Sequence, residues 1–182
     1  MKKLLKNKKG FTLVELLAVI VVLAIIMVIA TTQIGNAISR ARSNSFIDSY
    51  KMVEKQLKTY IASDETEKIL CNNTDACLKN YDLSSDYSLD VSVNAAGNAY
   101  EITMGAAGVI KYTTTTDSHG NSITTMNTNG TVEDGYKFKN LDLKKYGDSA
   151  TTISGTAACS ASKISSTATS CDSKYIKGSI GF

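Results

Sequence analysis

Few side chains in this chain have the type and spacing that chemistry requires. Glu15 is the most unusual, because it is the only charged residue in the twenty from Phe11 to Ala30. An ionised carboxylate in apolar surroundings is costly unless a partner meets it. Four cysteines, Cys71, Cys77, Cys159 and Cys171, form an even set that permits two disulfides in any of three connectivities. His119 is the sole histidine and sits in Asp117-Ser118-His119-Gly120-Asn121, a turn-like stretch better suited to a solvated loop than to a general base. With one histidine and no C-x-x-C pair, zinc ligation by the cysteines is disfavoured. Asp82, Asp86 and Asp90 recur every fourth residue. The alternating Tyr87, Leu89, Val91 and Val93 around them indicate a strand, which denies the three carboxylates a common helical face. No phosphate-binding glycine loop, G-x-S-x-G or H-E-x-x-H is present. Asn72-Asn73-Thr74 and Asn129-Gly130-Thr131 match the glycosylation acceptor, a short pattern that arises often by chance. These residues give a non-enzyme, without cofactor or catalytic metal.

The element that positions Glu15 is the apolar run itself. Twenty residues in a helix rise about 30 Å, the thickness of one bilayer core. Lys2, Lys3, Lys6, Lys8 and Lys9 precede it, so the positive-inside rule keeps the N-terminus cytoplasmic and sends residues 31–182 outside. The formal charge of +3 is dominated by that leader. Without its five lysines the chain carries 15 basic against 17 acidic residues, net −2, and no dedicated nucleic-acid surface is expected. Two plainer readings compete: a secretory signal peptide cut near Ala30, whose apolar core would be too long, and an ordinary membrane anchor. Neither accounts for Glu15. A third concerns that residue alone, which would simply bond the first-turn amides of its own helix.

Lys8-Lys9-Gly10-Phe11-Thr12-Leu13-Val14-Glu15 resembles the cleavage and methylation site of type IV pilins and related pseudopilins. The resemblance implies cutting after Gly10 by a prepilin peptidase, N-methylation of Phe11, and extraction of the helix from the membrane into a filament of identical or related subunits. It also implies that Glu15 pairs with a Phe11 amine during assembly. It covers Lys8 to about Ala30 closely and is silent on the C-terminal two-thirds. Residues 1–10 are then a leader, 11–30 the membrane and filament-core half of a helix, and 31–182 an extracytoplasmic head. Many pilins place a helix-breaking proline near the end of the apolar run. This chain has Thr31 and Thr32 there, with Gly35 as the nearest weak point.

Beyond Ala30 the pattern turns amphipathic: Ile34, Ile38, Ala41, Phe46, Tyr50, Val53 and Leu57 fall near one helical face. One long helix over about 11–62 is predicted, ended or followed by a short capped helix at Ser63–Glu67. A loop bearing Cys71 and Cys77 follows. Strand signals at 87–93, 100–104 and 109–113 are separated by turns at Ala95–Asn98 and Gly105–Gly108, with further turns at Asp117–Asn121 and Asn129-Gly130. The expected fold is α+β, a meander of three to five antiparallel strands packed on the helix. The Ser/Thr/Ala-rich tail from Ala150 has too few large apolar residues to build a core. Closeness in sequence favours Cys71–Cys77 and Cys159–Cys171 as the disulfides, the second closing the tail.

The expected function is a structural pilus subunit, resident in the cell membrane before assembly and in an extracellular filament afterwards. Alternatives are a minor pilin or competence-type pseudopilin, and a membrane-anchored adhesive domain that never polymerises.

Overall fold

The computed structural model describes residues 12–130, 150–151, 159–160, 167–171 and 174–182. The chain divides into two compact units, Met1–Ile38 and Ser39–Phe182. The expected N-terminal helix is α1, Leu13–Ala62, which passes Thr31 and Gly35 without a break. Thr31 returns its hydroxyl to the Val28 carbonyl at 3.0 Å, so its polar group is satisfied within the helix.

In the second unit α1 contributes Phe46, Tyr50, Val53 and Leu57, all fully buried. Each such side chain stabilises the fold by about 1.5–3 kcal/mol. The predicted stripe is interrupted at its start, because Ile34, Ile38 and Ala41 are exposed and the core begins at Phe46. The helix stops in a Schellman arrangement. Asp64 takes a positive φ of 56°, Glu65 N–H donates to the Tyr60 carbonyl at 3.0 Å, and Asp64 N–H donates to Ile61 at 3.4 Å.

The short α2 (Thr66–Ile69) and β1 (Cys71–Asn72) lead into α3 (Asp75–Asn80). Cys77 therefore lies on a helix, where a loop was expected. A six-residue segment suffices because α3 closes as α1 does: Asp82 adopts φ 52° and Leu83 N–H reaches the Leu78 carbonyl at 2.9 Å. Tyr81 fixes this corner by donating its hydroxyl to the Ile69 carbonyl at 2.6 Å.

The sheet is antiparallel and five-stranded among the described residues. Its order is β1, β2 (Tyr87–Val93), β3 (Ala99–Ala106), β9 (Tyr175–Gly181) and β8 (Ala168–Cys171). Leu89, Val91, Ile102, Met104 and Ile176 alternate onto the face that carries the helix core. Two expectations change here. The tail, predicted to lack core residues, returns as β9 between β3 and β8 and buries Ile176 and Ile180. Its period-two pattern is Ile176, Gly178, Ile180, and the middle position is glycine for a steric reason. A Cβ there would lie 2.1 Å from the Tyr50 hydroxyl and 2.6 Å from the Thr167 carbonyl. The simple meander also fails, because β4 (Lys111–Thr116) and β5 (Ser122–Asn127) form a separate two-stranded hairpin. Of the predicted 109–113 strand, Val109 and Ile110 are buried ahead of it and only Lys111 onward is paired. The remaining pair, β6 (Ala150–Thr151) with β7 (Cys159–Ser160), is short.

Candidate functional site

Glu15 occupies the third position of α1, and Thr12 stands immediately before the helix. Their side chains satisfy each other's backbone. Glu15 N–H donates to Thr12 Oγ1 at 3.2 Å, while Thr12 N–H and Thr12 Oγ1 both donate to Glu15 Oε2 at 2.9 Å. The Thr12 carbonyl takes the first helical bond from Leu16 N–H at 3.2 Å. This is a reciprocal capping box, Thr-x-x-Glu, which fills amide positions that a helix N-terminus otherwise leaves open. The carboxylate also lies at the positive end of the helix dipole. The expected first-turn role of Glu15 is thus present, and Thr12 is a residue of this site that the sequence reading passed over. Its signal was available as the three-residue spacing of threonine and glutamate, Thr-x-x-Glu, at the head of an apolar run.

Behind the box, Leu13–Thr31 is long and apolar enough to cross a membrane. Every large apolar side chain from Leu13 to Ile29 exposes half or more of its surface. An apolar surface of that extent is not stable in water and needs lipid or another protein surface. The run holds no second charge that could meet Glu15. Gly10 and Phe11, the expected cleavage and methylation residues, lie outside the described residues, so the pairing of Glu15 with a Phe11 amine is not addressed by this geometry.

Elsewhere, Cys71 and Cys77 form a disulfide that ties β1 to α3 across a Cα separation of 5.3 Å. Cys159 lies on β7 and Cys171 ends β8; their expected pairing falls on side chains outside the described set. His119 sits in the exposed turn between β4 and β5. Asp117 organises that turn, accepting from His119 N–H and Asn121 N–H at 2.8 Å each. The Asn121 amide bonds, with smaller help from His119, hold the Asp117 carboxyl below its ordinary range. Asp82, Asp86 and Asp90 are not brought together: the first two occupy turns, and Asp90 lies on β2 accepting from Tyr112 Oη at 2.8 Å and Ser92 Oγ at 3.0 Å.

Among the described residues the arrangement is one N-terminal helix long and apolar enough to cross a membrane, with a capped carboxylate at its start, and an α+β unit that carries the core. Residues 5–31 match the family model described as the prokaryotic N-terminal methylation motif. The chain thus carries, at its N-terminus, the prepilin signature of type IV pilins and pseudopilins. That signature implies processing by prepilin peptidase and a structural role, and it fits membrane anchoring before assembly. No curated protein and no solved structure matches the chain.

Proposed function

We propose that this chain is a structural subunit of a type IV pilus or a closely related filament. It is cut after Gly10, methylated at Phe11 and polymerised through its N-terminal helix. One observation carries the reading: Glu15, the sole charge in the apolar run, heads a helix whose large apolar side chains from Leu13 to Ile29 are all open to a partner. A plain anchor needs the apolar surface but has no use for the carboxylate. A subunit that must dock in one axial register uses both, the apolar stripe for adhesion and the charge for alignment.

The capping box refines the mechanism. In the membrane Thr12 hydroxyl and amide occupy Glu15 Oε2, which lowers the cost of keeping the carboxylate near the bilayer. Hydrogen bonds do not neutralise the charge. An incoming subunit with a positive Phe11 amine would still gain from meeting it in a low-dielectric filament core. The test is a mass spectrum of the mature protein with the yield of sheared surface filaments. A chain beginning at methylated Phe11 and abundant in filaments supports the reading. An N-terminus at Thr31, or a methylated chain absent from filaments, rejects the pilus-subunit role.

A further inference from the structure

Among the described residues, no element pairs with the β4–β5 hairpin. It pairs six residues with six, from Lys111↔Asn127 to Thr116↔Ser122, and no other described strand pairs with either of its outer edges. Thr113 to Thr116 and Ser122 to Thr125 are all exposed. Tyr112 is half-buried and ties the base of the hairpin to Asp90 on β2. A two-stranded hairpin with both faces in water is marginally stable on its own.

Its edges also lack the usual protection. Natural edge strands carry lysines, prolines or bulges that discourage pairing. Here Lys111 is the only charge in either strand, there is no proline, and the register runs without a shift. The direction of the free groups follows from the turn. Asp117 N–H donates to the Asn121 carbonyl at 2.9 Å, so that pair faces inward, as do Thr115↔Ile123 and Thr113↔Thr125 by alternation. Thr114 and Thr116 on one edge, and Ser122 and Thr124 on the other, therefore aim their amides and carbonyls away from the hairpin. The 3.2 Å approach of the Thr114 and Thr124 hydroxyls agrees, since side chains lie closest in the non-bonded pairs.

We propose that this hairpin docks on a second copy of the chain by strand addition, the free edge of β5 in one subunit pairing with the free edge of β4 in the next. The inference rests on the filament reading. A second copy is the fitting occupant because β5 is uncharged, β4 carries only Lys111 at its start, and both are threonine-rich, so the edges meet without like-charge repulsion and with favourable cross-strand threonine pairs. An edge of β5 on an edge of β4 is a heterologous contact. Unlike a two-fold contact it leaves one free edge at each end, so it can propagate with the symmetry of a growing filament. An unrelated charged ligand would find nothing on these edges to select it.

The test compares amide hydrogen exchange over 111–127 in sheared filaments and in the detergent-solubilised full-length chain. Strand addition should slow exchange at Thr114, Thr116, Ser122 and Thr124 by about tenfold or more in the filament alone. Equal exchange in the two forms overturns the proposal. So does protection already complete in the solubilised chain, which would mean that the chain covers its own edge. Thr114→Pro and Thr124→Pro each delete one outward amide and spare the inward bonds of the hairpin. At matched membrane levels each should lower filament yield severalfold, and wild-type yield from both overturns the contact. Wild-type cells that make methylated protein but no filaments would defeat the filament reading and this contact together. Filaments with an unprotected hairpin would defeat this contact only.

Discussion

Glu15→Gln and Thr12→Ala separate two roles that one carboxylate holds at once. Glutamine serves at the third position of a capping box, so Glu15→Gln keeps acceptors for Thr12 N–H and Thr12 Oγ1 while removing the charge. Thr12→Ala does the reverse. It deletes the hydroxyl that accepts from Glu15 N–H and donates to Glu15 Oε2, and leaves the charge in place. Losing the cap hydroxyl costs about 1 kcal/mol of helix stability, and losing the dipole interaction about 0.3–1 kcal/mol. Both are confined to the first turn and change assembly about fivefold at most, taking a tenfold change per 1.4 kcal/mol. Removing one partner of a charge pair in an apolar filament core is larger, about 3–5 kcal/mol, because the remaining amine is stranded. Glu15→Gln should therefore reduce sheared-filament yield by roughly two orders of magnitude or more, while Thr12→Ala reduces it only a few-fold. The assay is filament yield at matched membrane levels, with leader cleavage confirmed by mass. Equal loss in the two variants, or a silent Glu15→Gln, would refute the charge-pair argument and leave Glu15 as a cap.

Four further outcomes are expected. Gly10→Ala should slow leader removal and a bulky residue there should block it, read from the ratio of precursor to mature mass. Gly178→Ala places a Cβ 2.1 Å from the Tyr50 hydroxyl and 2.6 Å from a backbone carbonyl, so the head should lose about 1–3 kcal/mol by overpacking, seen as a lower Tm. Reducing Cys71–Cys77 opens a short loop worth about 2 kcal/mol in the chain-entropy treatment, checked by thermal melts with and without reductant. Burial pushes the Tyr50 phenol up to about 12, and burial also raises Tyr81 and Tyr112, the latter helped by Asp90. The unfolded chain then releases these protons first. Stability from these tyrosines should be full below about pH 10 and fall as pH rises toward the folded values, whereas a flat melting temperature from pH 8 to 11.5 would contradict the burial of Tyr50.

The helix and the first two full-length strands were legible because their apolar periods are long and unbroken. Phe46, Tyr50, Val53 and Leu57 read as one face and are one face. Leu89 with Val91, and Ile102 with Met104, alternate as strands do. What hid β9 was Gly178. The residue that admits Tyr50 to the sheet is also the residue that removes the apolar signal from the middle of the strand. The end of α1 was legible at Ser63–Glu67, but how it and α3 stop was not. Asp64 and Asp82 hold the left-handed position usually given to glycine, and only backbone geometry distinguishes them from ordinary surface aspartates. At the functional end, the spacing of Gly10, Phe11 and Glu15 was visible at once, while Thr12 was treated as part of the apolar run. Its role depends on a hydrogen bond whose partner lies three residues on.

On the filament reading, the capping box and the apolar helix let one sequence occupy two environments. Among the described residues the apolar core begins at Phe46, and the large apolar side chains from Leu13 to Ile29 are exposed. Those side chains are free to exchange lipid for protein, and that exchange has little hydrophobic driving force because hydrocarbon tails are as apolar as leucine. Apolar contact alone would let a helix slide in register or remain in the bilayer. A charge whose hydrogen-bonding needs are already met by Thr12 has a tolerable cost at the membrane and a steep preference in a dry filament. On the filament reading, Thr12 thus sets how long Glu15 can wait, and Glu15 sets where the next subunit stops.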